Sequence, residues 1–247
     1  MREAGDLQCH REPKTLLARW IRKAGADSIL LYLPPVAWVE VAESSGLPCY
    51  ALGGVFLASS GILSGSGLSV SKFLVEVVRE AIKLAHRRIL VVIRRVASKA
   101  SMRESIAERI EHLLGDGANE QQVSVSVLTP DLPSPQDWHS WWSSVLVREQ
   151  PTLVIVDSVY EAVSLHDHCL RHGIRMPQDL SMVVMEDTPI LEWMNPPPTR
   201  YRFQNEKVMK YFRHWFQRGL AEGMIKVIPA KLVGGNTFGI ASSEPRC

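Results

Sequence analysis

No stretch of this chain approaches the roughly 18 consecutive apolar residues that a membrane-spanning helix needs. The opening "MREAGDLQCHREPK" also has no apolar core of the kind an export signal carries. A cytoplasmic protein is therefore expected. Cysteine is scarce: Cys9, Cys49, Cys169 and Cys247 lie far apart with no paired spacing, which argues against a disulfide framework and against a zinc knuckle. An excess of one charge is lacking too. Lys and Arg total 28 against 26 Asp and Glu, and the basic residues are scattered apart from one local cluster, His86–Arg88. Charge thus gives no nucleic-acid footprint. Also absent are a nucleophile elbow, a metalloprotease helix motif and a phosphate loop with its lysine, so catalysis is not expected and no cofactor is implied.

What is present is alternation. From residue 13 onward, helical periodicity alternates with short β-branched apolar runs, the pattern of β-α units around a buried parallel sheet. Helices are predicted over 13–24, 36–45, 71–85, 101–114, 136–148, 159–172 and 205–218. Strands are predicted over 28–33, 48–52, 88–93, 123–128, 152–156, 180–185, around 199–203 and near 226–233. The fold class is α/β. Low complexity is confined to "SSGILSGSGLS", 59–69, which reads as a flexible loop because no lysine follows the glycines to make a phosphate cradle. The run His166–His168 with His172 invites a metal reading because His168 and His172 are one helical turn apart, but no third ligand joins that pair at a suitable spacing, so the histidines are expected to face solvent and no metal is expected.

The segment "HGIRMPQDLSMVVMEDTPILEWMNPPPTRYRFQ", 172–204, combines several signals. Gly173 suits a left-handed helix cap and Pro177 prevents the helix from resuming. A buried strand follows, then the acidic pair Glu186 and Asp187, then a proline-stiffened connection. In open parallel sheets ligands bind beyond the carboxyl ends of the strands, which is where that pair stands.

At these residues the chain resembles the sensor domains of lactose-repressor and galactose-repressor (LacI/GalR) type transcription factors. The family pattern "G(I/L)RVP(E/D)DLSVVG(F/Y)DDTP…PPLTT" is met by "HGIRMPQDLSMVVMEDTPILEWMNPPPTR", and the family's "GHRRI" by "AHRRI", 85–89. "PTLVIVDSVYEAVSLHDHCLRHGI", 151–174, is similar to its "PTA…AND…AL" strand and helix. The resemblance covers about residues 71–240 and is weaker back to about residue 13.

The resemblance implies the type I periplasmic-binding-protein fold, two Rossmann-like lobes joined by crossovers near residues 86, 198 and 222. The first lobe would comprise 1–85 and 199–222, the second 86–198 and 223–247. A small-molecule effector, a sugar or related metabolite, would sit in the cleft between them and bias lobe closure. A homodimer is implied, and DNA would be met only through a helix-turn-helix headpiece, which nothing in this chain matches. The family's first two strands are also unmatched, so the first lobe is expected to be truncated, leaving strand 28–33 as a raw apolar edge. The alternatives are a transport-type solute-binding protein and an α/β enzyme using Glu186, Asp187 or Asp157 as a base.

The resemblance also nominates residues. Glu186 corresponds to a carboxylate that binds sugar hydroxyls, for which two acceptor oxygens are suited. Asp187 is expected to be structural. Aligned on Ala162, Ser158 and Val159 fall at the family's pocket Asn-Asp pair without matching it and Asp157 stands one position earlier; Asp157 or Ser158 is nominated for the pocket, and Asp157 could instead cap helix 159–172. Arg103 lies within one residue of a cleft arginine, and Lys72 stands where a polar residue opens a cleft-facing helix. Trp138 matches a region presenting an aromatic ring to the sugar's apolar face, whereas Trp141 and Trp142 read as core. Phe203 lies where the second crossover strand meets the cleft.

Overall fold

The structure, a computed structural model, describes residues 13–32, 34, 36–52, 63–68, 70–93, 123–132, 134–220, 223–229 and 231–242. By internal contacts the chain divides into two compact units, with the divisions after Val70, Phe203 and Ala230. Helix 70–83 goes with the second unit because Phe73 and Glu76 meet Tyr201 there.

The first unit holds α1 (Pro13–Ala24), β1 (Ile29–Tyr32), α2 (Val36–Glu43), β2 (Cys49–Leu52) and β3 (Leu63–Leu68), joined later by α6 (Asn205–Gln217) and β9 (Ile225–Ile228). Its sheet has the order β1-β2-β3-β9 with every pairing parallel. Strand alternation decides which helix covers which face. Cys49, Ala51, Ile29, Leu31 and Leu63 pack with Leu17, Trp38 and Ala42 of α1 and α2, and Trp20 stacks on Trp38 with centroids 5.6 Å apart. Tyr50 points to the other face, where Phe212 and Trp215 of α6 lie 5.3 and 4.9 Å from it. α6 rides over β2, β3 and β9, so on β1 the side chains Leu30 and Tyr32 stay exposed, and β1 ends the sheet order.

β3 corrects the loop expected over 59–69. "LSGSGL" is an interior strand, buried from Leu63 to Gly67. Its small side chains let α6 approach, and the hydroxyls that come with them are satisfied. The Tyr50 hydroxyl donates to Ser66 Oγ at 2.7 Å, and Ser66 donates to the Val208 carbonyl of α6 at 3.1 Å. A hydrogen-bonded buried hydroxyl avoids the desolvation cost that would otherwise exclude serine here.

The second unit holds α3 (Val70–Lys83), β4 (Arg88–Val92), β5 (Ser124–Leu128), α4 (Pro135–Glu149), β6 (Leu153–Val156), α5 (Val159–His172), β7 (Ser181–Val184), a 3-10 helix (Pro189–Trp193), β8 (Thr199–Arg202) and β10 (Lys231–Val233). Helix 101–114 lies outside the described residues. The sheet order is β10-β8-β7-β6-β4-β5, parallel except for the antiparallel β10. β6 and β7 are buried at every position, as strands covered on both faces must be. α4 begins in a capping box between Ser134 and Asp137, and α5 ends at Gly173 with φ 68°. The strand expected near 226–233 is two strands, β9 and β10, in different sheets.

The triple proline is clamped from behind. Asn236 N–H donates to the Pro197 carbonyl at 2.8 Å, and Thr237 joins the Thr199 N–H to the Met182 carbonyl. Gly235 passes so close that any Cβ there would run into the Pro198 backbone. His86 of "AHRRI" is fully buried between the Thr152 hydroxyl and the Gly239 carbonyl, each 3.0 Å from a ring nitrogen. The carbonyl can only accept, so Nε2 carries the proton. Burial pushes its pKa down, and the Arg87 charge adds to this against the pull of the Gly239 carbonyl. His168 is also buried, which corrects the solvent-facing reading of that residue. Among the described residues no cluster could hold a metal ion.

Candidate functional site

The carboxyl ends of β6, β7 and β8 bring together Asp157, Ser158, Glu186, Asp187 and Phe203, because the three strands are parallel neighbours in register. Glu186 is fixed rather than free: its Oε2 accepts the Val159 backbone N–H at 2.6 Å, at the first turn of α5. That N–H has no intrahelical partner, and the helix's positive end favours a carboxylate there. Among the described residues its other oxygen forms no hydrogen bond. Ser158, not Asp157, is the N-cap, accepting from Tyr160 N–H at 3.3 Å while its hydroxyl donates to Glu161. Asp157 donates its backbone N–H to the Val92 carbonyl, which holds the β6–α5 turn against β4.

Asp187 stands in a charge network. Its Oδ1 takes Nε of Arg200 at 2.7 Å and its Oδ2 takes Nε of Arg202 at 3.1 Å. Arg200, whose side chain is only 6% exposed, also donates from Nη2 to Glu192 at 2.7 Å. The network ties β8 and the 3-10 helix to the end of β7. It accounts for the structural role expected of Asp187. Reading the sequence alone missed Arg200, Arg202 and Glu192 as its members. The available signal was two arginines spaced i, i+2 on a strand directly after the acidic pair, a spacing that puts both on one face.

The remaining nominated residues are placed differently. Trp138 is buried in the second unit's core with Trp141 and Trp142, its centroid 5.4 and 5.8 Å from theirs. Phe203 is half-buried just past β8, edge-on to Tyr201. Lys72 falls in the first turn of α3, and its side chain lies outside the described residues, as does Arg103 entirely. The geometry offers a carboxylate oxygen and hydroxyl and backbone groups along one sheet edge, a set suited to hydrogen-bonding a polar ligand. Among the described residues no helix is long and apolar enough to cross a membrane.

Residues 78–231 match a family described as "Periplasmic binding protein-like domain". No curated protein matches the chain. Among solved structures, the chain is similar to a LacI family transcriptional regulator from Bifidobacterium animalis subsp. lactis, with TM-score 0.73 and 19% identity over 92% of this chain and 83% of that one. It is similar to an Enterococcus faecium LacI family regulator with bound ribose, at TM-score 0.70 and 16% identity over 94% and 86%. A third, a LacI family regulator from Weissella paramesenteroides with bound sucrose, gives TM-score 0.74 and 14% identity over 94% and 84%.

Proposed function

We propose that this chain, which belongs to the family of periplasmic binding protein-like domains, is the effector-sensing part of a LacI/GalR-like transcriptional regulator. It binds a sugar or related small metabolite at the carboxyl edge of the second unit's sheet, without chemistry, in the cytoplasm. The observation that carries this reading is Glu186: one oxygen is fixed by the α5 N-terminus, so the other is held in a set direction beside Ser158 and Asp157. A preorganised acceptor of this kind suits vicinal hydroxyls, since little entropy is lost on binding. Phe203 at the end of β8 supplies an apolar neighbour, and Trp138 supports the site from the core. Arg103 and Lys72 remain further candidates for the same ligand.

The working protein is a homodimer, for which exposed Tyr160, Val163, Ile190 and Trp193 on α5 and the 3-10 helix offer an apolar surface. DNA contact belongs to a helix-turn-helix headpiece of such a regulator. The test is thermal unfolding against a panel of pentoses, hexoses, disaccharides, uronic acids and purines. A ligand at 100 times its dissociation constant adds roughly 2.7 kcal/mol to the folded state. The expected result is a rise in Tm with one sugar class that Glu186→Ala abolishes while keeping a cooperative transition. A shift that survives Glu186→Ala, or no shift with any compound, overturns the reading.

A further inference from the structure

α6 is held to its sheet by a narrow stripe. Val208 and Trp215 are buried and Tyr211 and Phe212 half-buried, all on one side, leaving the rest of the helix exposed. That exposed surface is chemically one-sided. Residues 205–218 hold Lys207, Lys210, Arg213 and Arg218 against Glu206 alone, a net +3 in a chain whose total is +2, so all other residues sum to −1. Among the described residues none of these four cations forms an ion pair, whereas on the second unit Arg171 and Arg175 are matched by Asp167 and Asp179. Lys210, Arg213 and His214 border a groove of about 570 Å³, with Glu206 the one carboxylate among the described residues that line it. Along the same helix, two turns apart, Met209 and Phe216 are 37% and 63% exposed.

We propose that α6 is a docking helix for an acidic, amphipathic segment of a partner protein, whose carboxylates meet Lys210 and Arg213 and whose apolar side chains cover Met209 and Phe216. Charge complementarity selects the acidic partner. The apolar pair selects a protein over a nucleic acid, whose phosphate backbone gains nothing from exposed Met and Phe side chains. A bilayer is disfavoured because the helix's main apolar stripe is already buried against β2 and β3, leaving too little to insert. This surface is built on the first unit's residues, whereas the proposed effector site is built on the second unit's.

The test is fluorescence anisotropy of the full chain with a labelled helical peptide carrying Glu at i, i+4 and Leu at i, i+7. A matched Lys-for-Glu peptide, a short DNA duplex and phosphatidylserine vesicles serve as competing probes. The acidic peptide is expected to bind, more weakly as salt rises. Lys210→Glu with Arg213→Glu should weaken it about tenfold or more and create binding to the lysine peptide, a gain that misfolding could not produce. Phe216→Ala should weaken it several-fold with the salt dependence unchanged. No binding of the acidic peptide, binding that survives the double charge reversal, or tighter binding to the duplex or the vesicles overturns the proposal.

Discussion

β3 and β6 are interior strands of their sheets and both are buried, yet one reads LSGSGL and the other LVIV. The comparison shows that burial is set by position in the sheet and that chemistry has only to meet the resulting demand. In the second unit β6 meets it with apolar volume, filling the space beneath α4 and α5 together with Trp142, Val145, Leu146 and Leu165. In the first unit β3 meets it with smallness, and the Tyr50–Ser66–Val208 relay satisfies the hydroxyls that small polar residues bring. Charge follows the same division. The second unit buries Arg200 in a network with Asp187 and Glu192, while the first carries its cations outward on α6.

The sharpest way to break this contrast is Arg200→Ala. It leaves Asp187 and Glu192 without their buried partner and should cost about 3–5 kcal/mol by urea unfolding; a cost below about 1 kcal/mol would reduce the network to a surface ion pair. Next come reciprocal swaps of the two strands. Ser66→Val overpacks the α6 contact and orphans the Tyr50 hydroxyl, Val154→Ser puts an unsatisfied hydroxyl under α5, and each should lose about 1–3 kcal/mol. If Ser66→Val stabilised the chain, smallness would not be what β3 requires. Glu186→Ala removes the acceptor for the Val159 N–H and should cost about 1 kcal/mol in addition to its effect on ligand binding.

Ala85 sits at φ 65°, in the left-handed region that β-carbons disfavour, immediately before His86. Ala85→Gly should therefore raise stability by about 0.5–1 kcal/mol in a thermal melt, the strain relieved outweighing the extra freedom of the unfolded chain. The gentlest perturbation is pH. Burial holds His86 and His168 below the ordinary imidazole value of 6.5, with Arg87 adding at the first, and His172 and His139 at the second against Asp167. The unfolded chain then binds protons that the folded chain refuses, so stability is full above about pH 6.5 and is lost as pH falls through the lowered values. His86→Gln should flatten that slope; an unchanged slope would remove His86 from the account.

Much of the second unit was legible beforehand. α5 was read at its observed limits, and Gly173, Pro177 and the apolar runs of β4, β6 and β7 marked the elements around the site. Glu186 could be placed at a strand end from pattern alone. That its carboxylate caps α5 could not, because the donor is a backbone N–H 27 residues earlier in the chain. Trp138 read as a ring for a ligand and lies in the core, since a helix with three nearby tryptophans gives no sign of which one the sheet will cover.

By itself the sequence determined the features that act within a few residues: helix periods, the glycine cap and the continuous apolar strands. Each depends on local backbone geometry and on neighbours one turn away. The tertiary structure alone decided that "LSGSGL" is a strand, that His86 and His168 are buried and that Arg200 belongs to Asp187. Each of those rests on partners brought together from distant parts of the chain, and whether a serine, a histidine or an arginine can be buried depends on the partner that arrives.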